Sequence, residues 1–595
     1  MRKGLYKAYE RNVNKMKLEL GGYKNLLSKY LRTQKLNVIL LALVLVGNIG
    51  VQLINPQISC YFIDEAKKGA AVKDLTMVAL MFIGIAFAQQ LFNIASTYLG
   101  QNVAWRATND IRIDLVKHCM NLDMSFHKEH QSGELIERVD GDVSELFNLF
   151  SNVALNILNN ILLLIGILML LFREGLIIGI GMTIFAVVSI CFLWYVKTKT
   201  QGHWIKASKV NAEFYGFLGE QISSAEDIAS SGARKYIMSQ FYNTMRKMFP
   251  IINKANLTWA TMWSATFIIF ALGNVMAFGL SAYLWKKGLI TIGTVYLIFS
   301  YTELLRRPIE QIRVNLQELQ VSSASIVRIK ELFDIKSKIK YGRDTFDVSK
   351  SLAVEVKNIS FEYEAGVDVL TNVSLNVKEG KVLGILGHTA CGKTTLARLL
   401  VRLYDVTSGE ILLNSKNINT ISPEELTKNI AYVTQNVQIF TASVRDNITM
   451  FNKNVEDETI LNIIKDLDLM QWYEKFSKGL DTMLYAGGRN LSAGEAQLLA
   501  FVRAFLKNPR LIILDEATSR IDPITEQLIE RALNKLLKNR TGIIIAHRLW
   551  TLQRADDILV LQNGRVIEFG SREKLLKNSQ SNYYNLLQMG IEEAK

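Results

Sequence analysis

The sequence predicts a chain in two parts: an α-helical bundle of about six membrane spans, then an α/β domain built around a phosphate-binding loop. Hydrophobic residues make up 49% of the 595 residues and gather in long uncharged runs before residue 305. Five of those runs reach the roughly 20 apolar residues that a spanning helix needs. Beyond residue 352, short β-rich runs such as VLGILG and LIILDE alternate with helix-like stretches. That alternation is the pattern of a mainly parallel sheet flanked by helices.

Residues 36–63, 75–105, 146–172, 175–196 and 255–285 contain no charged side chain. A sixth span, 288–302, is short and has to continue through Glu303 and Arg306. The connections after the first, third and fifth spans are short (64–74, 173–174, 286–287), and those after the second and fourth are long and polar. Ten basic residues precede Leu36, so the N-terminus and the long connections are expected in the cytoplasm. Lys67, Lys68, Lys73, Lys286 and Lys287 run against that rule. Residues 22–35 combine an apolar stripe with lysines, as an interfacial helix does.

No span carries a carboxylate near its middle, which argues against ion-coupled transport. Asparagines recur instead, at Asn48, Asn55, Asn152, Asn156, Asn159, Asn160 and Asn274. They are read as interhelical hydrogen-bonding groups in preference to a substrate pocket. The net charge of +14 is read in the same frame, as membrane-protein bias and not as nucleic-acid binding, because no compact basic motif follows the N-terminus. Cys60, Cys119, Cys191 and Cys391 have no metal-site or disulfide spacing, and no cleavable signal peptide is apparent. Residues 325–350 are charged and lack long apolar runs. The expected organisation is therefore a cytoplasmic amphipathic segment (1–35), a transmembrane domain (36–324), a linker (325–350) and a cassette (351–595).

Within the cassette, Gly387-His388-Thr389-Ala390-Cys391-Gly392-Lys393-Thr394 fits G-x-x-x-x-G-K-[ST] between a strand-like VLGIL and a helix-like TLARLLVRLY. Successive backbone N–H groups and a helix N-terminus cradle phosphates in such a loop. Lys393 then reaches the β- and γ-phosphates, and Thr394, followed by Thr395, ligates Mg²⁺. Cys391 sits just before the helix, a position that predicts a reactive sulfur shielded by bound nucleotide. The apolar run 511–514 ends in Asp515 and Glu516, which suit the metal shell and a general base for the attacking water. Leu491-Ser492-Ala493-Gly494-Glu495 opens a second helix with small residues, and 543–546 forms another strand that ends at His547.

With these residues in order, the chain resembles a half-transporter of the ATP-binding cassette (ABC) exporter family over nearly its whole length. Tyr363 in Phe361-Glu362-Tyr363 resembles the residue that stacks on adenine. Gln435, ending Tyr432-Val433-Thr434-Gln435, resembles the glutamine that reaches the metal and the attacking water. Residues 491–495 resemble the signature, usually LSGGQ. Ser519-Arg520-Ile521-Asp522 resembles the D-loop, and His547 the switch histidine. Residues 125–134 and 224–234 resemble segments near coupling helices.

The resemblance implies two cassettes closing over two ATP molecules with Mg²⁺. Lys393, Thr394, Gln435, Asp515, Glu516 and His547 serve one site in cis; Ser492 and Gly494 serve the partner's site in trans. It implies alternating access for an amphipathic, lipid-like, peptide or drug-like substrate across the cell membrane. An importer built on the same fold and a nucleotide-gated channel are the alternatives. Glu516 and His547 speak against the channel. The apolar region opens directly at Leu36, so no leader-peptide-processing domain is expected before it.

Several positions depart from the family pattern. His388, Ala390 and Cys391 alter the phosphate loop, Ala486 stands where glutamate is common, and Ala493 and Glu495 alter the signature. Ala493 adds a methyl group where the backbone approaches a γ-phosphate. Glu495 brings a carboxylate, and at about 10 Å with an effective dielectric near 20 each like-charge pair costs roughly 1.7 kcal/mol. These changes favour a heterodimer with a related half-transporter over a homodimer.

Overall fold

The computed structural model describes residues 29–346, 351–364, 366–486, 490–515, 523–546 and 549–592. It divides into two compact units, Met1–Met120 with Ser132–Ile335, and Asn121–Gln131 with Lys336–Lys595. The interfacial helix expected over 22–35 lies largely outside the described residues.

In the first unit the uncharged runs form helices because an apolar surrounding leaves backbone groups only intrahelical partners. These are α1 (Lys35–Lys67) and α2 (Val72–Met120). After α3 (Met124–Glu129), which belongs to the other unit, come α4 (Ser132–Glu174), α5 (Leu176–Ser223), the short α6 (Ala225–Ser230), α7 (Arg234–Lys286) and α8 (Ile292–Asp334). Five helices among the described residues, α1, α2, α4, α5 and α7, are long and apolar enough to cross a membrane. The sixth expected span is α8. It runs unbroken through Glu303 and Arg306 and packs against α1, α4 and α7, but charged side chains interrupt its apolar stretch.

Two expectations change here. The long polar connections are largely helical, because α2, α5 and α7 extend well past their apolar segments. The first ten residues of the expected linker, 325–334, also remain in α8.

Local contacts explain how these helices are held. The Asp64 carboxylate accepts from the Gly293 amide at 2.8 Å and the Thr291 hydroxyl at 2.6 Å, while Thr291 caps α8 through the Thr294 amide. That fixes the end of α1 to the start of α8. Gly273 lets α7 approach α5: a Cβ there would lie 2.3 Å from the Phe185 ring. α4 contains two π-helical turns, Glu137–Asp142 and Leu149–Val153. The first presents the buried Asp142 to Arg328, whose Nε donates to it at 2.9 Å.

The second unit contains the expected mainly parallel sheet. Its order is β12-β11-β3-β10-β9-β6, with only β12 antiparallel. The strands are β3 (Val382–Leu386), β6 (Ile430–Val433), β9 (Leu511–Asp515), β10 (Thr541–Ile545), β11 (Asp557–Gln562) and β12 (Arg565–Ser571). Strands β3, β9 and β10 are buried on both faces, so they read as continuous apolar runs. Along β9, Leu511 and Ile513 enter one core and Ile512 and Leu514 the other, the period-two division of a pleated strand.

A second, antiparallel sheet, β2-β1-β4-β5, packs on the first core. It comprises β1 (Val354–Glu362), β2 (Asp368–Val377), β4 (Ser408–Leu413) and β5 (Lys416–Asn417). The sequence reading did not separate it, because its strands alternate buried and exposed residues without a motif to mark them. Helices α9 (Lys393–Leu400), α10 (Ala493–Lys507) and α11 (Pro523–Leu537) flank the parallel sheet.

Candidate active site

Strand register gathers the site. Ile545 of β10 lies beside both Ile385 of β3 and Asp515 of β9, and Val433 of β6 lies beside Leu514. The carboxyl ends of four parallel strands therefore share one edge, where ligands of open α/β sheets bind. The phosphate loop leaves β3 there and turns into α9.

Its backbone requires its glycines. Gly387 and Gly392 have φ of 150° and 103°. A Cβ on Gly387 would meet the Leu561 carbonyl oxygen at 2.2 Å, and one on Gly392 the Leu370 side chain at 2.6 Å. Ala390 adopts φ 64° without being glycine, a conformation that L-residues rarely take. The Lys393 ammonium is buried and donates to the carbonyls of Gly387 at 2.8 Å and His388 at 3.0 Å. It thus lies along the inside of the loop that Gly387–Thr394 form. Cys391 is only 5% exposed and joins the apolar core, so the accessible sulfur expected from sequence is not found.

Thr394 and Asp515, 121 residues apart, meet at 3.2 Å through the Thr394 hydroxyl. Tyr432 donates its phenol to the other Asp515 oxygen at 3.0 Å. Burial, then the Asp515 charge, push the Tyr432 phenol well above its ordinary range, so it remains a donor. A hydroxyl and a carboxylate are hard oxygen donors that fit Mg²⁺, which commonly takes one or two protein ligands and completes its shell with phosphate and water. No group of three or more His, Cys, Asp or Glu side chains that could hold a metal ion by itself is found among the described residues.

Gln435 is exposed in the loop just after β6. Glu516, Asp522 and His547 lie outside the described residues; Asp515, which precedes Glu516, ends β9, and Ala546, which precedes His547, follows β10.

Tyr363 packs edge-on against Phe361 and Tyr404, with centroids 4.8 and 5.2 Å away. Its hydroxyl lies 3.3 Å from Thr395 Oγ1, in the helix that follows the phosphate loop. The Lys128 ammonium sits 4.1 Å from the Tyr363 centroid. Lys128 is on α3, whose N-terminus Asp123 caps by accepting the amides of Ser125 and Phe126 at 3.0 and 3.2 Å. Asp123 also accepts the Ser337 hydroxyl at 3.2 Å, which explains why residues 121–131 group with the cassette. Burial opposes the Asp123 charge, but the Lys338 amide, which donates at 2.5 Å, and these donors outweigh it and hold the carboxyl below its usual range.

The signature opens α10. Ser492 is its N-cap: its hydroxyl accepts the Glu495 amide at 3.2 Å, and Glu495 accepts the Ser492 amide at 2.9 Å, forming a capping box. The same carboxylate pairs with Lys475 at 2.8 Å. Partial burial pushes the Glu495 carboxyl up, but Lys475 and the Ser492 amide win and hold it below the usual range. Ala493 and Gly494 form the first turn. Further along α10, Arg503 donates to the Asn447 carbonyl at 2.6 Å and the Gln438 carbonyl at 2.9 Å, joining this helix to the segment after Gln435. Sequence reasoning missed Lys475, Arg503 and Lys128, since no motif spacing marks them.

Membrane-length helices fused to a phosphate-loop cassette define an ATP-driven membrane transport protein. Comparison with known proteins makes the assignment specific. Residues 38–309 match the ABC transporter transmembrane region and residues 370–519 the ABC transporter cassette, so the chain belongs to the ABC transporter family, as an exporter-type fusion of membrane domain and ATPase.

The ABC transporter ATP-binding protein YfiC of Bacillus subtilis is 29% identical, with 93% of this chain and 92% of YfiC aligned. The probable multidrug resistance ABC transporter YheH of the same organism is 28% identical, covering 87% of this chain and 77% of YheH. The ATP-dependent lipid A-core flippase of Vibrio vulnificus is 29% identical, covering 87% and 88%. A bacterial Atm1-family ABC exporter solved with ATP bound shares the fold, with a TM-score of 0.78 at 23% identity over 93% of this chain and 98% of that one.

Proposed function

We propose that this chain exports an amphipathic, lipid-like, peptide or drug-like molecule by alternating access, as one half of a dimer in the cell membrane. Its N-terminus and cassette face the cytoplasm. The observation that carries this reading is the meeting of Thr394 and Asp515 beside the loop that holds Lys393. Lys393 binds the β- and γ-phosphates in place of the carbonyls it now touches. Thr394, Asp515 and Gln435 hold Mg²⁺, which neutralises charge on the phosphates. Glu516 orients and deprotonates the attacking water, His547 contacts the γ-phosphate, and Asp522 lies at the junction of the cassettes. Ser492, Ala493, Gly494 and Glu495 serve the partner's ATP.

An amphipathic substrate is supported by relatives named for multidrug resistance and for flipping lipid A-core. Of the two grounds for a non-identical partner, the Glu495–Lys475 ion pair takes one away and the methyl group of Ala493 remains.

The test is ATP-dependent accumulation of candidate amphiphiles in inverted membrane vesicles, with Glu516→Gln as control. General bases contribute about 10²–10⁴-fold, so this variant should bind ATP yet hydrolyse it slower by that order and accumulate nothing. Wild-type turnover in Glu516→Gln would remove Glu516 from the mechanism, and uptake in right-side-out cells would reverse the direction of transport.

A further inference from the structure

The amides of the membrane unit converge. Asn48 of α1, Gln89 and Asn93 of α2, Asn156 and Asn159 of α4 and Arg307 of α8 line one cavity of about 180 Å³. At 1.5 Å rise per residue they lie about 22–32 Å from the helix ends joined by the short hairpins, toward the far boundary of a hydrocarbon core of about 30 Å. Two features set this cavity apart from helix glue. Asn48 is 6% exposed and donates to Asn93 Oδ1 at 3.0 Å, yet its own side-chain oxygen is buried without a partner among the described residues. The Asn159 oxygen is in the same condition. Among the described residues Arg307 is the one charged residue of the lining, and no hydrogen bond or ion pair joins it to another of them. Unfilled buried acceptors are costly, and Arg307, which is exposed, keeps its charge available to a ligand.

We infer that this cavity binds the head of the transported amphiphile, and that the head carries one acidic group flanked by hydroxyl or amide donors. The acidic group pairs with the guanidinium of Arg307 in a charge-assisted fork. The flanking donors satisfy the oxygens of Asn48 and Asn159, and the remaining amides turn either end toward the ligand. Among the described residues no carboxylate lines the cavity, so a cationic head finds no partner among them. The inference rests on the transport reading above but concerns binding, which is measured without ATP.

The intact protein, in nanodiscs of zwitterionic lipid, is titrated with four amphiphiles: lysophosphatidylglycerol, N-dodecanoylserine, dodecyl phosphate and dodecyltrimethylammonium. The first two, with phosphate and carboxylate respectively, should bind. Dodecyl phosphate, which lacks flanking donors, should bind several-fold weaker, and the cation should not compete. Which of the first two binds tighter distinguishes a phospholipid from an acyl amino acid or peptide as the source. Arg307→Gln should weaken both at least tenfold, and Arg307→Lys should recover part of the loss. Asn48→Leu should erase the preference for lysophosphatidylglycerol over dodecyl phosphate. Equal binding by wild type and Arg307→Gln, or competition by the cation, overturns the inference. If binding depends on Arg307 but vesicles accumulate no ligand, the transport reading falls and the site stands.

Discussion

Glu495 carries a charge that the sequence places beside a triphosphate, and the fold disposes of it locally. Its carboxylate caps its own helix and pairs with Lys475, so a nucleotide bound in the proposed trans site would meet a neutral pair. An exposed pair of this kind contributes about 0.2–1 kcal/mol, so Lys475→Ala should lower ATP hydrolysis by up to about fivefold. Lys475→Ala with Glu495→Gln should restore it, whereas additive losses in steady-state ATPase assays would show that the pair does not act as a unit. The depressed Glu495 carboxyl contributes stability above the ordinary carboxylate range and loses it as pH falls through its lowered value, so the cap should weaken only in acid. Cys391 reverses another expectation. Its sulfur is buried against the loop, so maleimide should label it in denaturant and leave it unmodified in the native protein, with or without ATP. Rapid native labelling, read by mass spectrometry, would contradict that. The phosphate loop, Asp515 and the signature were legible in sequence because their chemistry is local. Lys475 was not, because twenty residues of chain separate it from Glu495 without a periodic signal.

At the scale of elements, α10 is more than a carrier of the signature. Arg503 ties it to Asn447 through a part-buried hydrogen bond and to Gln438 through an exposed one, and burial lowers this guanidinium to about 10, still protonated at neutral pH. Replacing it with methionine keeps the apolar stem but strands those carbonyls. Hydrogen bonds to charged groups contribute about 1.5–3 kcal/mol, so Arg503→Met should destabilise the cassette by roughly 2–3 kcal/mol in chemical denaturation. An unchanged midpoint would mean that water replaces the guanidinium. The parallel strands were legible as uninterrupted apolar runs. The antiparallel sheet and the π-helical turns of α4 were not, because half-buried strands and a one-residue widening of a helix leave hydrophobic periodicity almost unchanged. The reach of α2, α5 and α7 was underestimated for a related reason: beyond the apolar core a helix needs only good propensity and a neighbour.

For the whole molecule, the expectation of a membrane bundle followed by a cassette holds, while residues 121–131, which the sequence assigns to the bundle, fold with the cassette. Purified alone, the chain should form dimers in detergent if identical cassettes suffice. Brisk, substrate-stimulated ATP hydrolysis by that preparation would establish the homodimer; a monomer rescued only by one second half-transporter would establish the heterodimer. The long helices also set a mechanical scale. α5 has 48 residues, which at 1.5 Å each make a rod about 70 Å long, only about 30 Å of it within hydrocarbon. Pivoted near the middle of the membrane, such a rod turns a tilt of about 5° into roughly 5 Å of travel at its far tip, about one helical turn. A rigid rod with unequal arms is a displacement amplifier run in one direction and a force amplifier in the other. Small, strong movements at the short arm and large, weak ones at the long arm then follow from helix length alone.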